Sequence, residues 1–247
     1  MPYPILMYHQ IRPLPSRSDP LRGLSVDPAD FRGQMMLLKG LGYRGVSMRE
    51  LQPYLRGERS GKVFGITFDD GFRNVLQCAA PVLNELGFTA TCYFVVNRLG
   101  AVNKWDAHLD TRQSVLMNRS EVLCWHASGH EIGSHTLDHV SLTQVSPAEA
   151  QRQIFESRER LEDMTGQAVD SFCYPYGDVS PPVRELVELC GYVSATTIVR
   201  GIASNSDDPF LLPRIGVVGG QNRFRFLYRY FRQYVAAVPG IVTSRAR

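Results

Sequence analysis

Short apolar runs alternate with segments of helical periodicity along most of this chain. The run Val63-Phe64-Gly65-Ile66 is followed at once by polar residues, which is typical of a buried strand in a parallel sheet. After the helix-start signal Asp27-Pro28, by contrast, apolar residues recur every three or four positions up to Gly42. Repetition of these two patterns predicts an α/β fold whose polar side chains gather at the carboxyl ends of parallel strands. Periodicity alone does not distinguish a closed barrel from an open, doubly wound sheet.

The pattern also places the individual elements. We predict strands at residues 5–9, 43–46, 63–66, 89–96, 130–135, 172–175, 192–198 and 212–218. Predicted helices follow Asp27, Ser47, Gly71, Ser120 and Ser146, and one more joins the sixth and seventh strands. Pro81 is expected to bend the helix that follows Gly71. Residues 97–118 are long for a connection and contain Trp105 and Asp106, so we expect a rim loop beside a substrate groove. A chain of 247 residues with 44% hydrophobic content can bury one large core, so a single domain over residues 1–247 is expected.

Two adjacent carboxylates, Asp69 and Asp70, follow the third predicted strand. Neighbouring carboxylates at a dry strand end repel each other, and a bound cation relieves the repulsion by taking one as a ligand while the other stays free as a base. Gly71 then allows the backbone to turn without a Cβ atom. A solvated Asp-Asp-Gly turn is the alternative interpretation of this stretch alone.

A second polar cluster, His135-Thr136-Leu137-Asp138-His139, follows the fifth predicted strand and places two imidazoles four positions apart. One aspartate and two histidines suit Zn²⁺ or a similar divalent ion, with positions left open for water or substrate. An ion held in this way can lower the pKa of water and polarise a carbonyl, so the set is typical of a catalytic site. Asp138 is interpreted as a loop residue that supports the histidines rather than as a ligand.

Three motifs, in order along the chain, carry a resemblance to a known family. They are Thr67-Phe68-Asp69-Asp70-Gly71, Ser134-His135-Thr136-Leu137-Asp138-His139 and Phe172-Cys173-Tyr174-Pro175-Tyr176-Gly177. Over about residues 5–218 the chain resembles the NodB-like polysaccharide deacetylases of carbohydrate esterase family four. Its opening strand, Pro4-Ile5-Leu6-Met7-Tyr8-His9, resembles that of the biofilm-polysaccharide deacetylase branch. The resemblance implies a distorted (β/α) barrel of seven or eight parallel strands.

The same resemblance implies removal of N-acetyl groups from an amino-sugar glycan, with release of acetate and a free amine. It makes Asp69 the general base. The implied metal ligands, for Zn²⁺ or another transition metal such as Co²⁺ or Ni²⁺, are Asp70, His135 and His139. Tyr176 is implied to supply a backbone N–H to the oxyanion that forms at the amide carbonyl.

The chain departs from the family pattern at two places. Many members carry an arginine two residues before the proline of the third motif to hold the base carboxylate, and here that position is Cys173, predicted to be a buried apolar thiol. Arg214 is a candidate replacement for the missing charge; a surface arginine at the start of a strand is the alternative. No late Leu-x-His motif supplies the usual acid histidine. The similarity of the opening strand makes His9 the candidate acid, with a structural histidine as the alternative.

Composition and charge restrict compartment and partners. The five cysteines form no C-x-x-C pair, and their odd number argues against a complete disulfide framework, so a reducing compartment is expected. The N-terminal sequence lacks the features of a signal peptide and no stretch reaches membrane-spanning length, which together predict cytoplasmic placement. The formal net charge of +3 is too small to indicate a nucleic-acid partner, although the residues from Pro209 onward hold seven arginines and no acidic residue.

Residues 222–238 predict a basic amphipathic helix. Its apolar positions at helical spacing are Phe224, Leu227, Tyr228, Phe231 and Val235, and its arginines on other faces are Arg225, Arg229 and Arg232. One interpretation is a helix that covers the barrel with its apolar stripe. The other is peripheral contact with an anionic membrane, which would present the active site to membrane-linked glycan.

Three functions remain open at this level. The resemblance favours a metal-dependent N-deacetylase acting on an amino-sugar polymer, an oligomer or a lipid-linked glycan. A hydrolase of a small non-sugar amide is compatible with the same barrel and metal. A glycan-binding module with little turnover is the third, if Cys173 has weakened the base.

Overall fold

A parallel β-barrel surrounded by helices forms the centre of the computed structural model, which describes residues 2–109, 113–220, 225–228 and 230. The strands are β1 (Ile5–Tyr8), β2 (Gln10–Ile11), β3 (Ser25–Val26), β4 (Arg44–Val46), β5 (Val63–Phe68), β6 (Thr91–Phe94), β7 (Glu131–Ser134), β8 (Ser171–Cys173), β9 (Ser194–Arg200) and β10 (Leu212–Gly216). The α-helices are α1 (Pro28–Gly40), α2 (Met48–Leu55), α3 (Ala80–Leu86), α4 (Arg119–Ala127), α5 (Pro147–Thr165) and α6 (Pro181–Leu189).

Seven strands close the barrel in the order β1-β10-β9-β8-β7-β6-β5, and β5 returns to pair with β1. All of these pairings are parallel. β4 pairs with the first half of β5, on the same edge where the second half of β5 pairs with β6, so the barrel is distorted at this point. The predicted distorted (β/α) barrel of seven or eight parallel strands is confirmed, and it is closed rather than an open sheet.

Local sequence signals start most of the helices. Side chains accept backbone N–H groups at the N-termini of α1, α2, α4 and α5; they belong to Asp27, Ser47, Asn118 and Ser146. The helix predicted after Gly71 is present over residues 73–86. Residues 75–79 form a π-helical turn that continues without a break into α3, and Pro81, which has no N–H to donate back into that turn, lies just after it.

A buried carboxylate joins the amino ends of three neighbouring strands. Glu131, the first residue of β7, accepts hydrogen bonds from the hydroxyls of Thr91 (2.6 Å) and Ser171 (2.7 Å), which begin β6 and β8. It also accepts the N–H of Arg49 (2.8 Å) in the first turn of α2. This end of a barrel commonly serves stability, while chemistry sits at the carboxyl ends of the strands.

The helix predicted at residues 222–238 lies largely outside the described residues, and Phe224, Arg229, Phe231, Arg232 and Val235 are among those not described. Residues 225–228 are helical. Phe226 and Tyr230, which share one helix face, are buried, whereas Tyr228 of the predicted apolar stripe is 69% exposed. The interpretation of a helix that covers the barrel with this stripe is therefore wrong at Tyr228, and membrane contact stays a prediction. Within the described ranges, no helix combines the length and apolar character needed to span a membrane.

Candidate active site

The carboxyl ends of the barrel strands open into one cleft with a cavity volume of about 190 Å³. Six of the seven predicted site residues line it: His9, Asp69, Asp70, His135, His139 and Tyr176. The seventh, Arg214, lies on β10 and contacts Asp69. Parallel strands explain the arrangement, because residues that directly follow different strands end at the same rim.

Three side chains, Asp70, His135 and His139, converge inside the cleft and are called the metal trio below. Oδ1 of Asp70 lies 3.4 Å from Nε2 of each histidine, and all three residues are buried. Ligand atoms about 2.1 Å from a tetrahedral ion are about 3.4 Å apart, so this spacing fits a single ion such as Zn²⁺. Nδ1–H of His135 donates to the carbonyl of Cys173 (2.7 Å), which leaves its Nε2 lone pair free for a metal.

Left-handed backbone conformations shape the loops that carry these groups. In the described residues, positive φ at a non-glycine position occurs at Asp70, Thr136, His139 and Tyr176, with φ of 73°, 69°, 61° and 60°. Such conformations cost on the order of 1 kcal/mol or more and persist where the surroundings enforce them, typically at functional sites. Gly71 has φ of 77°, and a Cβ atom there would meet the Phe94 ring at 2.7 Å, so both conformation and space require glycine.

A glutamine of α5 binds the loop that joins His135 to His139. Oε1 of Gln153 accepts the N–H groups of Leu137 and Asp138, both at 3.0 Å. Its Nε2 donates to the Asp138 carboxylate (2.9 Å), so Asp138 supports the loop and is directed to Gln153. The sequence alone does not indicate Gln153, because its position on a helix carries no sign of its partner.

Arg214 grips the carboxylate of Asp69. Nη1 and Nη2 donate to Oδ1 and Oδ2 at 2.7 and 2.8 Å, a bidentate pair. Arg214 is 1% exposed, so the alternative of a surface arginine is wrong. Burial raises the pKa of Asp69, but the charge and hydrogen bonds of Arg214 outweigh burial and hold that pKa below its ordinary value. Asp69 is therefore a carboxylate at neutral pH and can accept a proton.

His9 and two aromatic rings complete the walls of the cleft. Nε2 of His9 lies 3.9 Å from Oδ2 of Asp69. Trp105 stacks on the imidazole of His139 with ring centroids 4.3 Å apart, and Tyr176 meets the same imidazole edge-on at 4.6 Å. Trp105 and Asp106 both line the cleft, so this part of the long predicted loop contributes to the rim.

The family follows from a comparison with known proteins. A family model described as polysaccharide deacetylase matches residues 56–195, more than half of the chain. The chain belongs to the polysaccharide deacetylase family. Similarity extends to YxkH of Bacillus subtilis, which is 30% identical over 225 residues that cover 90% of this chain and 74% of YxkH.

One more distant relative and one solved structure extend the comparison. The poly-beta-1,6-N-acetyl-D-glucosamine N-deacetylase of Staphylococcus epidermidis is 23% identical over 223 residues, which cover 85% of this chain and 77% of that protein. The structure of the Streptococcus pyogenes deacetylase PplD matches with a TM-score of 0.80 at 23% identity, covering 93% of this chain and 98% of that one. The NodB-like resemblance is confirmed, and PplD has the same fold.

In the third motif, Cys173 lies beside the arginine that binds Asp69. Cys173 is fully buried, and its Sγ lies 3.2 Å from Nη2 of Arg214. A guanidinium thus reaches the carboxylate of Asp69 from β10, and the third motif contributes a thiol beside it. Sequence reasoning identifies Arg214 only as a candidate, because Asp69 lies 145 positions away along the chain.

Proposed function

We propose that this protein removes N-acetyl groups from an amino-sugar glycan with the help of a divalent metal ion. The observation that carries the proposal is that the metal trio and Asp69, which the buried Arg214 holds from behind, line one cleft. A metal centre and a buried charged base within one cleft are the parts that amide hydrolysis by water requires.

The metal trio is suited to hold the ion. Asp69 accepts a proton beside it, and Arg214 supports Asp69. A divalent ion bound to the trio supplies polarisation of the acetyl carbonyl and a lower pKa of water. Asp69 accepts the proton of the water that attacks the carbonyl carbon. Arg214 keeps that carboxylate charged and fixes its plane, so that the proton arrives at a defined position.

His9 and Tyr176 are proposed to act on the departing amine and on the oxyanion. His9 lies on the cleft wall 3.9 Å from Asp69, and its imidazolium can protonate the amine nitrogen as the C–N bond breaks. The backbone N–H of Tyr176 is the donor proposed for the oxyanion. The products are acetate and a free amino sugar.

The proposed substrate class is an N-acetylated glucosamine glycan. The Staphylococcus epidermidis relative, whose name specifies such a polymer, supports this choice. The cleft is open, and the rings of Trp105 and Tyr176 give it apolar walls against which a sugar ring can pack. A binding module with little turnover is expected if Cys173 weakens the base. Arg214 supplies the charge that Cys173 lacks, which argues against that function.

Metal content and acetate release, measured on the same preparation, test the proposal. The substrates are N-acetylglucosamine oligomers of different linkage, peptidoglycan fragments and small aliphatic N-acetyl amides. We expect about one equivalent of metal and acetate release from an oligomer. Faster release from the small amides points to the non-sugar hydrolase, and tight glycan binding without acetate release points to a binding module.

Cytoplasmic placement and peripheral contact with an anionic membrane stay predictions of the sequence. Most of residues 222–238, which carry the membrane prediction, lie outside the described residues.

A further inference from the structure

All five N–H donors of the buried Arg214 side chain have acceptors. Nε donates to the Thr197 carbonyl (2.8 Å), and Nη1 donates to Thr67 Oγ1 (3.0 Å) and Asp69 Oδ1 (2.7 Å). Nη2 donates to Asp69 Oδ2 (2.8 Å) and to Cys173 Sγ (3.2 Å). A guanidinium has five N–H groups in one plane, so this set of bonds fixes both the position and the rotation of the group that holds Asp69.

Cys173 provides the fifth of these acceptors and also touches the metal side of the cleft. Its thiol faces the Tyr174 carbonyl at 3.9 Å, which leaves a sulfur lone pair for Nη2 of Arg214. Its own carbonyl accepts Nδ1–H of His135 at 2.7 Å. Cys173 is 0% exposed, so water is not available to replace the sulfur as an acceptor.

The size of the side chain at position 173 affects whether Arg214 has room to reach Asp69. β8 and β10 flank β9 in the barrel, and the side chains of Cys173 and Arg214 meet inside it. A cysteine extends only one heavy atom beyond Cβ. A long basic side chain at position 173 would put a second cation beside Arg214, against the single carboxylate of Asp69.

We propose that Cys173 is a positioning residue for Asp69 and acts through Arg214. Its sulfur completes the acceptor set of the guanidinium, and its small side chain leaves the space through which Arg214 enters from β10. This inference rests on the proposed role of Asp69 as the base.

Three substitutions at position 173 separate the effect of the hydrogen-bond acceptor from the effect of side-chain volume. Cys173→Ser keeps an acceptor, Cys173→Val keeps a similar volume without one, and Cys173→Ala loses both. We expect kcat for acetate release from an N-acetylglucosamine oligomer to fall on the order of tenfold in the Val and Ala variants, because a misplaced group costs rate rather than binding. KM should stay within about twofold, and the Ser variant should resemble the wild type in both constants.

Cys190 provides the matched control. It is a buried cysteine at the end of α6, outside the cleft, and the same three substitutions there should leave kcat unchanged. Metal content is measured for every variant and should not change at either position. Equal kcat in all Cys173 variants, or equal losses in the Ser and Val variants, overturns the proposal, since only packing would then be involved.

A spectroscopic measurement separates this inference from the proposed function. In protein labelled at arginine, the Nη protons of Arg214 should exchange slowly with solvent in the wild type and in Cys173→Ser, and faster in Cys173→Val. This readout needs no turnover, so a wild type that releases no acetate refutes the proposed function without deciding the role of Cys173. Unchanged exchange in Cys173→Val overturns the role of Cys173 even if the enzyme is active.

Discussion

Asp69 and Asp70 are neighbours in sequence but have different partners in the structure. The left-handed conformation of Asp70 turns its carboxylate to the two histidines, while Asp69 faces Arg214. Asp69→Asn should therefore keep its metal and lose turnover, because an amide cannot accept the proton of water. We expect kcat to fall on the order of 10²- to 10⁴-fold. Acetate release and metal content measured together check this, and near-normal turnover with full metal content contradicts it.

His9 is the second residue whose role can be isolated. Its side chain is 18% exposed and lies on the cleft wall, outside the metal trio. Loss of a general acid costs on the order of 10²- to 10⁴-fold, so His9→Ala should lower kcat by that range and leave the metal content intact. His126→Ala, at the end of α4, is the control and should retain activity. An unchanged rate in His9→Ala assigns the acid role to another group.

At the scale of elements, the junction of α4 and β7 carries a buried histidine. His130 is 2% exposed, its ring centroid lies 4.2 Å from that of Trp125, and neither ring nitrogen has a hydrogen-bond partner among the described residues. Burial lowers the pKa of His130 to about 4, from about 6.5 in an unfolded chain. The unfolded chain thus binds a proton first as the pH falls, so this histidine destabilises the fold progressively between about pH 6.5 and pH 4.

Replacement of His130 by phenylalanine should reduce this pH dependence. The full effect of the shift is about 3 kcal/mol in the free energy of unfolding, present at low pH and absent above about pH 7. Urea unfolding of the wild type and of His130→Phe at pH 7, 5.5 and 4.5 measures it, with His126→Gln as the control. Parallel pH profiles for the wild type and His130→Phe would show that His130 titrates normally in the folded protein.

At the scale of the whole molecule, the metal trio connects loops after β5 and β7, so binding of an ion should stabilise the fold. A ligand that binds only the folded state at 100 times its Kd adds about 2.7 kcal/mol. For a chain of this size that corresponds to a rise in Tm of roughly 5 to 10 °C. Thermal unfolding with and without Zn²⁺ checks the prediction, and His139→Ala should lose the rise. Equal rises in the wild type and in His139→Ala would place the ion elsewhere.

The alternation of apolar runs and helical segments determined the α/β class. Three motifs and the opening strand that ends in His9 indicated the family and, through that resemblance, the cleft residues. These features are local: each spans a few positions, and the rule that parallel strands end at one rim brings them together. Six of the cleft residues directly follow strands or lie in short loops after them, so they could be identified without coordinates.

Contacts between distant segments were decided by the tertiary structure. Pairing of β1 with β5 and β10 closes the barrel, and periodicity carries no information about which edges meet. The partners Arg214, Gln153 and Glu131 each lie in regular elements, where a polar residue shows no sign of what it contacts. Whether Arg214 is a surface charge or the support of Asp69 depends on the shape of the barrel interior, because burial excludes water and leaves the carboxylate as its counter-charge.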